Sequence, residues 1–280
     1  MDDAMTLRFT KMHGLGNDFM VLNLLDQHLT LDPDRIRAWS DRHTGVGFDQ
    51  LLLLQRATQP DCDFAYRIYN ADGDPVEHCG NGARCITRFA IDKRLTSKRQ
   101  LVFQMARGSI ETRLEPDGQV TVDMRPPLLA PAEIPFLASA QALTYPLEIA
   151  GRTCTISAVS MGNPHAVLLV DDVEGFPVAE LGPALEQHAA FPRRVNAGFL
   201  QILDRSAVRL RVYERGVGET LSCGTGACAA MVAGRLRGLL DDEVTVQTRG
   251  GDLRIQWTGP GASVWMTGPA VTVFEGELAV

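Results

Sequence analysis

The chain repeats itself, and that duplication constrains its fold more than any other feature. Arg67-Ile68-Tyr69-Asn70 precedes Cys79-Gly80-Asn81-Gly82-Ala83. Arg211-Val212-Tyr213-Glu214 precedes Cys223-Gly224-Thr225-Gly226-Ala227, and both pairs of segments lie 144 residues apart. Three further matches keep the order: Gly16-Asn17 with Gly162-Asn163, Gly47-Phe48-Asp49-Gln50 with Gly198-Phe199-Leu200-Gln201, and Val122-x-Met124 with Val264-x-Met266. Ordered matches at separations of 142 to 151 specify two homologous halves, about 7–127 and 147–269, joined by the Pro-rich stretch 125–135.

Each half reads as short β-type runs bounded by Gly, Pro, Asp and Asn: 51–54, 65–69, 101–104 and 120–124, then 166–170, 199–203, 207–213 and 244–248. Each half also carries two helical patterns. Those at 33–41 and 178–188 are surface-like. Those at 82–93 and 226–236 follow the Cys-Gly-x-Gly-Ala motifs and hold few charges, so each should be wrapped by its own sheet.

With 27 Lys+Arg against 34 Asp+Glu, the net charge is −7, which lacks the electrostatic footprint of a nucleic-acid binder. No apolar run approaches the ~20 residues a bilayer needs, and the acidic start Met1-Asp2-Asp3-Ala4 has no signal-peptide pattern. The expectation is a cytoplasmic protein. Six cysteines are too few for a disulfide scaffold and are expected as thiols.

Cys79 and Cys223 should sit at helix N-termini, beside unpaired N–H groups and the positive end of the dipole. That setting is expected to lower a thiol pKa from about 8.5 towards neutrality and to hold a carboxylate by backbone amides. The adjacent glycines should let a ligand approach the backbone. Two such units suit inversion at an α-carbon: one thiolate removes a proton from one face, and the opposite thiol returns one to the other. Cys62, Cys85, Cys154 and Cys228 read as core residues. Cys79 and Cys85, or Cys223 and Cys228, lack the short spacing of a zinc knuckle, so no metal site is expected.

Lys11-Met12-His13-Gly14-Leu15-Gly16-Asn17-Asp18-Phe19, Asn70-Ala71-Asp72-Gly73, Cys79 to Cys85, Met161-Gly162-Asn163-Pro164-His165 and Tyr213 to Ala227 together resemble diaminopimelate epimerases, over nearly the whole chain. The resemblance implies a cofactor-free, PLP-independent enzyme, without metal, interconverting LL- and meso-diaminopimelate for lysine and peptidoglycan synthesis. It implies an α+β fold of two homologous domains, each a β-barrel-like sheet around a central helix, at 1–124 and 125–269. Strand 270–280 would return to the first domain, and the partner would be a second copy in a homodimer. By motif, Cys79 and Cys223 correspond to the acid/base pair. Gly80 with Asn81, and Gly224 with Thr225, correspond to the carboxylate cradle. Asn17, Gln50, Asn70, Asn163, Asn196, Glu214 and Arg215 correspond to substrate contacts, and His165 with Glu214 to the groups that tune the thiols.

Read alone, Asn17, Asn70 and Asn196 would be turn residues, and Asp18 and Glu219 structural ones. Phe48 departs from the small residue common in the family beside Gln50. Phe274 stands where relatives can carry a tyrosine linked to dimer contact. A proline or hydroxyproline racemase relative, a thiol redox protein and a noncatalytic amino-acid-binding module are the competing readings. The Asn-rich set disfavours the first, and the absence of Cys-x-x-Cys the second. A cysteine at both helix starts disfavours the third.

Overall fold

The structure is a computed structural model that describes residues 6–76 and 79–279. The elements in the first part are β1 (Thr6–Gly14), β2 (Asn17–Asn23), α1 (Pro33–Ser40), β3 (Gln50–Gln55), β4 (Phe64–Asn70), β5 (Pro75–Val76), α2 (Gly80–Asp92), β6 (Gln100–Gln104), β7 (Ser109–Leu114) and β8 (Val120–Asp123). A single 3₁₀ turn at Pro131–Glu133 follows. Then come β9 (Tyr145–Ile149), β10 (Arg152–Ser160), β11 (Pro164–Leu169), α3 (Val178–Glu186), β12 (Asn196–Ile202), β13 (Ala207–Glu214), β14 (Gly218–Thr220), α4 (Gly224–Leu236), β15 (Glu243–Thr248), β16 (Gly251–Gln256), β17 (Trp265–Gly268) and β18 (Val271–Ala279). This is a sheet-dominated α+β fold. It divides into two compact units: the described residues up to Val122 together with those from Gly268 onward, and Asp123–Thr267.

The two units share one pairing scheme. In the first, β1 and β2 are antiparallel, β2 and β3 parallel, β3 and β4 antiparallel, β4 and β6 parallel, and β6 and β7 antiparallel. In the second, β10–β11, β11–β12, β12–β13, β13–β15 and β15–β16 repeat that order of senses. Each parallel pair is bridged by a helix, the crossover that parallel strands require. One strand enters differently. The antiparallel partner of β10 is β9, directly before it in sequence. The corresponding partner of β1 is β18, which pairs Thr6 with Ala279.

The registers correct two of the internal sequence matches. Phe19 pairs with Gln50 in the first unit and His165 with Asn196 in the second, so Gln50 corresponds to Asn196 rather than to Gln201. Following the ladders outward from β4 and β13 makes Val122 equivalent to Met266, not Val264. Apolar residues in strand interiors are interchangeable by identity, whereas register is set by hydrogen bonding and by which face is buried. The Gly16-Asn17 and Gly162-Asn163 match holds in conformation too, since both glycines take φ 88°, a region open to glycine.

Helix α1 starts on an Asp32 cap whose carboxylate accepts from the amides of Asp34 and Arg35, with Pro33 in the first turn, and buries Ile36 and Trp39. Phe48 is fully buried in the same cluster as Leu51 and Leu53, so the large side chain at that position is core. Helix α2 packs on β1, β2, β3 and β7, and α4 on β10, β11, β12, β13, β15 and β16. Nearly every residue from Gly80 to Ala90 is buried, as is nearly every one from Gly224 to Gly234, so each helix is enclosed by its own unit's strands. Among the described residues no helix is long and apolar enough to cross a membrane.

Candidate active site

Cys79 and Cys223 are the N-cap residues of α2 and α4, both in extended conformation, with φ −146° and −111°. The extended cap turns each side chain back towards the first-turn amides. All six cysteines are thiols. Cys85 and Cys228 are fully buried in the helices they belong to, and burial pushes the Cys85 thiol up to about 12. Cys62 and Cys154, expected in the core, are instead half-buried, because each lies where its segment meets the surface.

In the first unit the Cys79 sulfur accepts from the Gly82 amide at 3.3 Å and lies 3.8 Å from Asn17 Oδ1. Asn17 Oδ1 also accepts from Asn81 Nδ2 at 3.3 Å, while Asn17 Nδ2 donates to Asp49 Oδ2 at 3.0 Å. Gln50 Nε2 donates to Asn70 Oδ1 across the β3–β4 pair at 2.9 Å. Asn17, Asn81 and Cys79 thus form one cluster, and Gln50 and Asn70 a second, at the strand ends of the same unit.

Next to Asn17 lies a set of charges that includes Asp18, expected as structural, and Lys11, Arg42 and Asp49, for which the sequence carries no signal. Arg42 makes a two-pronged bond to Asp18, at 2.8 and 2.9 Å, and reaches Asp49 Oδ1 at 2.9 Å. The Lys11 ammonium, almost fully buried, donates to Asp18 at 2.5 Å and to the Gly47 carbonyl. Against the upward push of burial, these bonds from Arg42 and Lys11 hold the Asp18 carboxyl down at about 2. Asp18 and Asp49 flank residues already singled out, but their cationic partners lie 7 to 24 residues away, so spacing gave no signal.

The second unit surrounds its thiol differently. Burial, then the Glu214 carboxylate, pushes the Cys223 thiol well above its ordinary value; the Thr225 hydroxyl, at 3.6 Å, and the Gly226 amide oppose this. The sulfur makes no capping hydrogen bond of good geometry, so the Gly226 contribution is weak. The expectation of a lowered pKa therefore fails at Cys223: desolvation and a neighbouring carboxylate outweigh the helix end. Thr220 Oγ1 donates to Glu214 Oε1 at 2.5 Å, a contact the sequence did not flag. Asn163 Nδ2 donates to Thr225 Oγ1 at 3.2 Å, and Asn163 Oδ1 lies 3.0 Å from His165 Nε2. His165 is buried, and burial followed by the Arg215 charge pushes its pKa down to about 3, so its ring is neutral. Within its own unit His165 bonds Asn163, not the sulfur, and reaches Cys223 only through Asn163 and Thr225.

Asn196 is buried with both ends of its amide on backbone: Nδ2 donates to the Pro164 carbonyl, and Oδ1 accepts from the Arg215 amide, each at 2.9 Å. It fixes the turn that carries the exposed Arg215 side chain, and keeps one N–H and one lone pair for other contacts. The second glycine of each motif answers to packing. A Cβ on Gly82 would lie 2.2 Å from the Tyr66 hydroxyl, and one on Gly226 would lie 3.0 Å from Val212 Cγ2 and 3.2 Å from the Cys223 sulfur. Among the described residues no group of three or more His, Cys, Asp or Glu is placed to hold a metal ion.

The sequence model of the family "Diaminopimelate epimerase" matches residues 9–129 and 157–273. The chain belongs to that family. Diaminopimelate epimerases of Pseudomonas entomophila (strain L48) and Stutzerimonas stutzeri (strain A1501) are each 59% identical to it over 274 residues, covering 98% of this chain and 99% of theirs. Among solved structures, a hydroxyproline epimerase from Agrobacterium vitis with bound trans-4-hydroxy-L-proline aligns with TM-score 0.69 at 18% identity, over 100% of this chain and 94% of that one. A probable proline racemase from Agrobacterium radiobacter K84 aligns with TM-score 0.72 at 16% identity, over 98% and 93%. At that identity the likeness is one of fold. The racemase reading weighed from sequence shares the architecture, while the family match separates the two.

Proposed function

We propose that the chain is a cofactor-independent epimerase interconverting LL- and meso-diaminopimelate, with Cys79 and Cys223 as the acid/base pair. The observation that carries the reading is a thiol at the N-cap of an enclosed helix in each of two units of one topology, each with a hydrogen-bond acceptor beside it. One sulfur, as thiolate, takes the α-proton from one face. The electron pair left on carbon delocalises into the α-carboxylate. The other thiol delivers its proton to the opposite face, so thiol and thiolate have exchanged places when the product leaves. Backbone amides at Gly80 with Asn81, and Gly224 with Thr225, would stabilise the charge gathered on the carboxylate oxygens.

Glu214 would serve as the local base of Cys223, and His165 would act on the thiols by holding Asn163. Asn17, Gln50, Asn70, Asn163, Asn196 and Arg215 would supply the polar contacts that a substrate with two amino-acid ends requires. We infer a cytoplasmic biosynthetic role in lysine and peptidoglycan precursor supply, without PLP or metal. We infer also a homodimer, for which the exposed Val271, Val273 and Phe274 on β18 provide an apolar face. The deciding experiment is incubation of purified protein with LL-diaminopimelate in D₂O, without added cofactor. Appearance of the meso isomer carrying deuterium at the inverted carbon is expected. No exchange at the α-carbon would overturn the reading. Sedimentation velocity tests the dimer separately.

A further inference from the structure

We propose that Asp49 is a positioning residue for the epimerisation, one that locks the Asn17 amide with its carbonyl oxygen, not its NH₂, towards the Cys79 sulfur. The inference rests on the reading of Cys79 as an acid/base thiol. An ionised carboxylate only accepts hydrogen bonds, so the Asn17 group 3.0 Å from Asp49 Oδ2 must be the NH₂ end. The oxygen then faces Cys79 Sγ at 3.8 Å and Asn81 Nδ2 at 3.3 Å. Reversing the amide would set Asn17 oxygen against carboxylate and Asn17 NH₂ against the Asn81 NH₂. Asp49 therefore selects the orientation, and the Asn81 amide, whose own oxygen has no partner to hold it, follows Asn17.

Asp49 is itself held so that it cannot swing away. Its Oδ1 accepts from Arg42 at 2.9 Å, its Oδ2 accepts from the Asp18 amide at 3.1 Å, and its own amide donates to Asp18 Oδ1 at 2.9 Å. Asp18 is anchored in turn by Arg42 and Lys11. Two acids and two bases thus form a neutral platform, and its contact from Asp49 to Asn17 decides which end of an amide meets the sulfur. With the oxygen there, the S–H has an acceptor that aims the proton without adding negative charge. With the NH₂ there, the thiolate would be favoured instead.

The test is Asp49→Asn, which can present its own NH₂ to Asn17 and so permits the reversed amide. Labelling with iodoacetamide at one pH, read peptide by peptide by mass spectrometry, should show Cys79 alkylated several-fold faster than in the unsubstituted protein. Cys85, fully buried nearly two turns along the same helix, should stay unlabelled. The kcat/KM for LL-diaminopimelate should fall roughly tenfold or more, as expected when a proton is misdirected, and Asp49→Glu should recover part of it. In an Asn17→Ala background, Asp49→Asn should change Cys79 labelling by less than about twofold, because residues that act through one another are not additive. An equal increase in both backgrounds, unchanged Cys79 labelling, or Cys85 labelled together with Cys79 would each overturn the proposal, the last by showing that Asp49 merely supports the fold. If the unsubstituted protein does not turn over LL-diaminopimelate, the functional reading fails, and the labelling arms still decide the orientation of Asn17.

Discussion

Cys79 and Cys223 occupy one structural position in two copies of one fold, yet their surroundings differ in charge. Among the described residues, an acceptor beside Cys79 is the neutral carbonyl of Asn17. The acceptor beside Cys223 is the carboxylate of Glu214, whose repeat equivalent in the first unit is the neutral Asn70. The asparagine that follows the positive-φ glycine is held by an ionic platform in one unit and by a neutral, buried histidine in the other. Duplication supplied the geometry twice, and substitution around it made the two sulfurs chemically unequal. For a reaction that takes a proton on one side and gives one on the other, that inequality is the useful product.

The comparison meets its hardest test in the thiols themselves. Cys79→Ala and Cys223→Ala should each reduce epimerisation by roughly 10²–10⁴-fold, the scale of losing a general acid or base. Activity surviving in either variant would remove the two-thiol model. Next in size is Glu214→Gln, which gives the second unit a neutral group like that of the first. Its carboxylate raises the Cys223 thiol pKa, so the substitution should lower it. Cys223 alkylation followed against pH should move to a lower midpoint, while kcat falls about 10²-fold. An unmoved midpoint would break the asymmetry.

Stability against pH separates the units next. The folded pKa of His165, about 3, lies below its ordinary 6.5, so in acid the unfolded chain takes up a proton that the folded chain refuses. The stability that His165 contributes is whole above pH 6.5 and is lost as pH falls from there towards 3. By pH 5 the loss is about 2 kcal/mol. The equivalent position in the first unit is Phe19, which does not titrate. Carboxyls of that unit held below their ordinary value, Asp18 and Asp41 among them, begin to matter only below about 3.8. His165→Gln should flatten urea unfolding midpoints between pH 7 and 5, and a slope equal to that of the unsubstituted protein would assign the acid response elsewhere.

The smallest effect concerns the two packed glycines. Gly82→Ala drives a Cβ into the Tyr66 hydroxyl, whereas Gly226→Ala meets side chains at 3.0 Å or more. The first should cost about 1 kcal/mol more than the second in thermal or urea unfolding. Adding Tyr66→Phe should recover much of that difference, and no recovery would mean the strain lies in the backbone.

Much of this was legible in the sequence, and the failures have physical causes. The strands at 51–54 and 207–213, and the helices after both cysteines, announce themselves by apolar runs between turn residues. β1, β10 and β18 do not, since polar residues such as Thr10, Lys11, Ser157 and Glu275 interrupt them. The cysteines stood out because a motif occurs twice. The Asp49 contact did not, because an amide's orientation depends on charged groups brought in by the turn after α1, which carries Arg42, and by β1, which carries Lys11. The pKa expectation went wrong at Cys223 for a related reason: a helix end is visible in sequence, while burial and the distance to Glu214 are not.

The pairing of Thr6 with Ala279 decides how each unit closes. The second unit is continuous in sequence, with its edge partner β9 directly ahead of β10, so it can close from its own segment alone. The first unit depends on β18, and without that strand β1 offers an open edge to any strand that meets it. Closure therefore runs across chain order: the half that comes first needs the strand that comes after the second, and a chain cut ahead of β18 keeps every strand of the second unit beside a first unit with an open, pairing-prone edge.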